Sequence, residues 1–232
     1  MKKALATLAI LTLATIVRAD TLADWTFEGT INDTTATDFA YGPADSGVHA
    51  SGSAGGGHHA ATNTVWSGIT GNGSPQALSA NHWAMGDYFQ FSLSTIGYNS
   101  LTVSFDATGS NTGPRDFILQ YSTTGVTFTD FANYSITNDN WSTGGTPKSI
   151  STQSFNLSAI TSLNNLSTAY FRLTDADTTN ITGATVGATG SSRVDNFTVG
   201  GTAIPEPSVL GLAGLGAAML VGARRFYRRP RV

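Results

Sequence analysis

Short runs of alternating apolar and polar residues, separated by Gly, Asn, Asp and Ser, constrain this chain more than any other feature. Asp87-Tyr88-Phe89-Gln90-Phe91-Ser92-Leu93 sets Phe89, Phe91 and Leu93 on one face and Tyr88 with its even-numbered neighbours on the other. Residues 101–105, 117–121 and 126–131 repeat the pattern, and Trp25-Thr26-Phe27-Glu28, residues 153–157 and residues 169–173 read as further strands. In the closing segment Val194, Asn196 and Thr198 are expected to face one way and Asp195, Phe197 and Val199 the other. Helical periodicity is almost missing, apart from one turn expected within residues 158–165. About eight antiparallel strands bury themselves most readily as two packed sheets, so the spacing predicts an all-β, two-sheet sandwich of jelly-roll type over residues 20–201. Ser122-Thr123-Thr124-Gly125 predicts a hairpin turn with its left-handed position at the glycine. Residues 34–73, rich in Gly, Ala, Ser and Thr and containing "SGSAGGGHHA", read as a long loop with one short strand near Val65-Trp66.

Both ends are set apart from this body. Lys2 and Lys3, an apolar stretch at residues 4–17 and Val17-Arg18-Ala19 have the organisation of a secretory signal peptide over residues 1–19, cut by signal peptidase before Asp20. Residues 202–207 read as a linker. Residues 208–223 carry no charge, slightly short of the roughly 20 residues of a full bilayer crossing, and Phe226, Tyr227 and the flanking arginines suit an interface and a cytoplasmic end. A C-terminal apolar helix and basic tail over residues 208–232 are therefore expected.

Charge follows the same division. Only four of the 12 Lys and Arg lie in the body (Arg115, Lys148, Arg172, Arg193), against fourteen of the 15 Asp and Glu. So acidic a domain lacks the clustered cations that phosphate neutralisation requires, so nucleic acid is excluded as a partner. Cysteine is absent, so the body must hold itself by its core or by metal ions.

Pro205-Glu206-Pro207, the apolar run and Arg224-Arg225 occur in that order before the chain terminus. This tail resembles the PEP-CTERM sorting signal of Gram-negative bacteria. The resemblance implies recognition by an exosortase-type processing enzyme, a transient stay in the inner membrane, and a final place at the cell surface or in an exopolysaccharide biofilm matrix. "LQYSTTGVTFTDF" and "SSRVDNFTVGG" resemble a hairpin and a closing strand of bacterial secreted β-sandwiches, with Thr124 where the hairpin pattern often has Asp.

Candidate chemistry is sparse. Asp175 and Asp177 at alternate positions, with Asp195 in the last strand, offer oxygens of the kind calcium takes, and jelly-roll carbohydrate-binding domains, which the body resembles, often carry calcium. His49, His58, His59 and His82 could ligate zinc or copper, but adjacent histidines point apart. Trp66, Trp83 and Trp141, with Tyr41 and Tyr134, fall in or near expected loops, where flat rings stack on sugars; aromatics of a sandwich also build its core. Glu28, Asp106 and Asp116 are the carboxylates a glycoside hydrolase would need in a facing pair. There is no GxSxG elbow, nucleophilic cysteine, P-loop or dinucleotide fingerprint. The sequence thus points to a non-enzymatic matrix sandwich binding polysaccharide or matrix partners, with a calcium-dependent carbohydrate-binding module and a polysaccharide hydrolase as alternatives.

Overall fold

Alternation becomes thirteen strands in a computed structural model that describes residues 19–205. In chain order they are β1 (Ala19–Trp25), β2 (Thr34–Thr35), β3 (Asp38–Gly42), β4 (Ala54–His58), β5 (Val65–Ile69), β6 (Ala77–Ala80), β7 (Tyr88–Leu93), β8 (Tyr98–Gly109), β9 (Asp116–Ser122), β10 (Thr129–Ser135), β11 (Thr152–Asn156), β12 (Ala169–Asp175) and β13 (Ser192–Ala203). Sheet A runs β11-β8-β13-β6-β5-β2, with β1 beside the later part of β13, and sheet B runs β10-β9-β12-β7-β4-β3. Every pairing is antiparallel. Residues 1–18 of the expected signal peptide, Glu206, Pro207, Arg224, Arg225 and the expected C-terminal apolar helix lie outside the described residues; Ala19 opens β1, Thr202 and Ala203 of the expected linker close β13, and Pro205 is the last residue described.

From β6 onward the pairs nest: β6 with β13, β7 with β12, β8 with β11, and β9 with β10. Successive pairs fall in alternate sheets, which is a long hairpin rolled over itself, the jelly roll. The core lies between the sheets. Phe89, Phe91 and Leu93 of β7 and Phe171 and Leu173 of β12 face Leu101, Val103 and Phe105 of β8 and Phe197 and Val199 of β13, all buried. Phe91 stacks on Phe197 with centroids 3.7 Å apart. Each such side chain contributes about 1.5–3 kcal/mol on burial.

Residues 34–73 are not one loop. They contain β2 to β5, and the Gly-rich stretch is itself β4 in sheet B. Its glycines have a steric cause. A Cβ on Gly55 would stand 2.7 Å from Trp25 Nε1, and one on Gly57 2.5 Å from Trp66 Cη2. Two buried indoles from sheet A thus press against the bare backbone of β4, filling the places its side chains would have taken.

Two strand boundaries and the faces of one strand also differ from expectation. β1 ends at Trp25 because Phe27 takes a left-handed φ of 58°, where the Asp45 carboxylate accepts the Thr26 and Phe27 amides. β10 starts at Thr129, and Val126 is left exposed. In β13 a bulge between Asp195 and Thr198, with Asn196 at φ 51°, resets the alternation, so that Val194 is buried along with Phe197 and Val199. The expected helical turn is a single 3-10 turn at Thr161–Leu163, and Gly125 has the expected positive φ of 75°.

Candidate functional site

The three tryptophans proposed as sugar platforms are core. Trp66 is fully buried, stacked on Phe39, with its indole N–H on the Ala36 carbonyl. Trp83 packs on Phe89 and Phe117 and donates to the Ala80 carbonyl. Trp141 donates to Ser151 Oγ from a buried position. Each indole N–H finds a partner inside the chain, which is how a large amphipathic ring is buried at little cost. Tyr134 is buried too, and Tyr41 packs edge-on against Phe27 with its hydroxyl on Asp45.

The proposed calcium set divides. Asp175 and Asp177 line one cavity, whereas Asp195 is spent elsewhere, its Oδ2 accepting the Asn72 amide and Ser74 Oγ and its Oδ1 the Asn196 amide. Burial pushes Asp195 up to about 6 against those donors. Among the described residues no three His, Asp or Glu side chains come together as a metal cage. The proposed catalytic carboxylates are not paired either. Asp106, on β8 of sheet A, accepts from Thr152 and Asn196. Asp116, on β9 of sheet B, is held by Arg115 at 2.7 Å, which keeps its carboxyl below the usual range. Glu28 lies in the turn beyond β1.

His58, the last residue of β4, and His59, just beyond it, point to opposite sides of sheet B. His59 is fully buried between Trp66 and Trp83, at centroid distances of 4.7 and 4.2 Å. Its Nδ1 lies 3.0 Å from the Asn81 carbonyl and 3.6 Å from Asp87, and burial lowers its pKa to about 3. The Asp87 carboxylate accepts the Ala60 and Ala84 amides, so this pair ties two loops to the start of β7. His58 instead reaches the outer face, 2.8 Å from Asp38, and that hydrogen bond lowers the Asp38 pKa.

That outer face of sheet B is where the polar side chains converge. Register aligns Gly56, Gln90, Arg172, Gln120 and Asp130 in one row across β4, β7, β12, β9 and β10, and His58, Tyr88 and Thr174 in the next. The Arg172 guanidinium lies 3.7 Å from the Tyr88 ring centroid and 3.6 Å from that of Phe128. It also donates from Nε to Gln90 Oε1 and from Nη2 to the Tyr88 hydroxyl. Gly125 sits against the Tyr170 ring, so the β9–β10 loop folds back over the start of β12. What stays open is a groove of about 320 Å³ above β4, lined by Tyr88, Gln90, Ser92, His58 and Asp38 with the glycine backbone as its floor.

Chemically the groove joins an aromatic wall to fixed polar groups. Because Gln90 Oε1 is committed to Arg172, its amide –NH2 is oriented as a donor. Asp38 supplies acceptors and Ser92 a hydroxyl. One cue to this face was legible. Arg172 is one of four cations in the body and sits at a polar position of an alternating strand, which requires that something outside the core hold it.

No protein-family model matches the chain, and no curated protein is significantly similar to it. Solved structures are similar to it in part. The N-terminal CBM22-1–CBM22-2 tandem domain from Paenibacillus barcinonensis Xyn10C is 14% identical, with 85% of this chain and 49% of that one covered and a TM-score of 0.42. The K1 cleaved adhesin domain of Lys-gingipain from Porphyromonas gingivalis W83 is 18% identical over 77% and 96% of the two chains, TM-score 0.37. A carbohydrate-binding module, CBM36, in complex with calcium and xylotriose is 17% identical over 53% and 79%, TM-score 0.29.

Proposed function

We propose that this is an exported, non-enzymatic β-sandwich protein of the bacterial surface or extracellular matrix, which binds polysaccharide in the groove on the outer face of sheet B. The observation that carries the binding reading is the groove itself: an aromatic wall at Tyr88, locked by Arg172, beside the oriented amide of Gln90 above the three bare glycines of β4. A sugar ring presents an apolar face and a rim of hydroxyls, and this pairing of ring and amide answers both. The acidic body favours a neutral polysaccharide over an anionic one. Export and sorting rest on the termini. The leader at residues 1–19 would be removed by signal peptidase. Pro205-Glu206-Pro207 with Arg224-Arg225 would deliver the chain to an exosortase-type enzyme at the inner membrane before release to the surface.

The binding reading is tested by titrating the protein with neutral polysaccharides and following affinity. Tyr88→Ala and Gln90→Ala should each weaken binding by roughly tenfold or more, about 1.4 kcal/mol. Thr102→Ala, on sheet A, should leave it unchanged. Equal affinity in all four proteins would remove the groove from the function. The sorting reading is tested by mass spectrometry of the mature chain, which should begin at Asp20 and lack the basic tail.

A further inference from the structure

The chain enters and leaves the sandwich at one end. Ala19, where β1 begins, is the register partner of Thr202, and Ala203, where β13 stops, is the partner of Tyr98 at the start of β8. Large apolar side chains are exposed at five places between residues 19 and 203: Val48, Met85, Ile96, Val126 and Ile150. Scattered singly they would need no explanation, but three of them tip turns at this same end. Val48 lies between β3 and β4, Ile96 between β7 and β8, and Val126 between β9 and β10.

Val48 and Ile96 are tied to each other and to the chain ends. The Val48 amide donates to the Thr21 carbonyl and the His49 amide to the Leu22 carbonyl, which fixes this turn along β1. His49 Nε2 lies 3.0 Å from the Ile96 carbonyl oxygen. The His49 ring stands edge-on to Tyr98, with centroids 5.5 Å apart, and the Tyr98 hydroxyl donates to Asp20. Chain length limits what can cover this patch. The five residue steps from Ala203 to Ser208, where the uncharged run of residues 208–223 begins, span at most about 18 Å. The headgroup layer beside a bilayer core takes about 5–8 Å of that span. The remainder is too narrow for a further globular domain, about 30 Å across.

We propose that this end of the sandwich docks on the surface of a zwitterionic lipid bilayer, with Val48 and Ile96 among the headgroups and Tyr98 and His49 at the interface, where amphipathic rings settle. The proposal rests on the reading of residues 208–223 as a membrane segment, and it holds while that segment stays attached. The contact is apolar rather than electrostatic. Of the four cations of the body, Arg115 precedes β9 and Arg193 opens β13 at the other end, Lys148 precedes β11, and Arg172 lies within β12. Docking here stands the strands away from the membrane and leaves the groove above β4 open to the side.

The chain has no cysteine, so single cysteines accept a fluorophore at chosen points. The full chain is reconstituted into phosphatidylcholine vesicles that carry a nitroxide on some headgroups. Labels on Val48→Cys and Ile96→Cys should be quenched at least about twofold more than one on Met85→Cys. Met85 lies before β7 at the other end, and the twelve residues of β8 set the two ends about 35 Å apart. Ile96→Asp, at an exposed position, should cut quenching of the label at position 48 by about half. A chain that does not float with the vesicles would overturn the membrane reading and the docking together. A chain that floats with its three labels quenched alike, or with quenching at position 48 indifferent to Ile96→Asp, would overturn the docking alone. Quenching that ignores the nitroxide and rises with protein density would overturn it too, and assign the patch to a second copy of the chain.

Discussion

Gly55→Ala probes the most unusual contact in the fold. Gly55 has no left-handed φ, so alanine fits its backbone and removes some unfolded-state freedom, worth about 0.4–1 kcal/mol in favour of folding. Against that, the new Cβ would stand 2.7 Å from Trp25 Nε1, 3.0 Å from Trp25 Cδ1 and 3.3 Å from Phe91 Cδ1, where carbon contacts settle at roughly 3.5–4.0 Å. Trp25 has nowhere to retreat. It is fully buried, 5.1 Å from Phe91 and 5.9 Å from Phe197, with its indole N–H on the Gly42 carbonyl. Overpacking of this kind costs about 1–3 kcal/mol, leaving a net loss of about 1–2 kcal/mol. Urea unfolding reads it as a midpoint lowered by roughly 0.5–1 M at unchanged slope.

A double-mutant cycle shows whether the indole is the cause. Trp25→Phe removes Nε1, the atom nearest the new methyl, so Gly55→Ala should cost at least about 1 kcal/mol less in that background. Gly52→Ala is the contrast. With φ at +84° and nothing within 4 Å of a Cβ, it should lose only about 1 kcal/mol of backbone preference and show no coupling to Trp25. If the Gly55 and Trp25 changes add within about 0.5 kcal/mol, or Gly55→Ala stabilises, the steric account of the glycine strand is wrong.

Two further outcomes follow from the site. His59, lowered to about 3 by burial, binds no proton where the unfolded chain already does, so its contribution is full above pH 6.5 and falls as pH drops toward 3, by up to about 4 kcal/mol. Asp195, raised to about 6, runs the other way, its contribution present below 3.8 and lost as pH rises through 6. The stability difference between the native chain and His59→Leu isolates the histidine: it should move in favour of the leucine variant as pH falls from 7 to 4 in urea titrations, and a constant difference would contradict the assignment. Arg172→Lys should lose the fork that joins Tyr88 to Gln90 and the stacking on Phe128, at a cost of about 1 kcal/mol. Hydrogen exchange at residues 123–128 should accelerate, and unchanged protection there would show that the guanidinium does not hold the loop.

What the sequence disclosed depended on where each strand's packing information resides. β7 was readable because its own residues alternate Phe and Leu with Tyr, Gln and Ser, so one segment states both its faces. β4 was not, because Ala-Gly-Gly-Gly-His contributes only absence, and the residues that explain it, Trp25 and Trp66, lie on other strands. The same coupling hid the tryptophans. Read as an isolated ring near glycine-rich sequence, Trp66 suits a sugar surface; read with Gly57, which it faces, it fills the volume that glycine leaves, while Trp83 and Trp141 are buried against other side chains. β6, buried at all four positions, offers no alternation at all. In β13 one bulge residue, Asn196, inverted the expected faces without any glycine to mark it. The acids followed the same rule, since Asp195 and Asp175 look alike in sequence and differ only in whether Asn72 and Ser74 are brought to them.

The nested topology also explains why the groove and the closed end of the sandwich are neighbours yet separable. Pairing β7 with β12 in opposite directions sets Tyr88 beside Thr174, so the start of one strand meets the end of the other. One residue along each chain the side chains turn to the opposite face. Tyr88 looks outward to the groove and Thr174 outward to Gln120, and Asp87 and Asp175 look inward to the loop ends. Asp87, which accepts the Ala60 and Ala84 amides, therefore acts on the closure of the sandwich end, and a ligand in the groove would act on side chains braced by Arg172. Contact at one place does not substitute for contact at the other, which is why Asp87→Ala should lower the melting temperature while sparing affinity for a neutral sugar, and Tyr88→Ala should weaken that affinity. A single substitution at either place that erased both responses would mean that the two faces of β7 and β12 do not work independently.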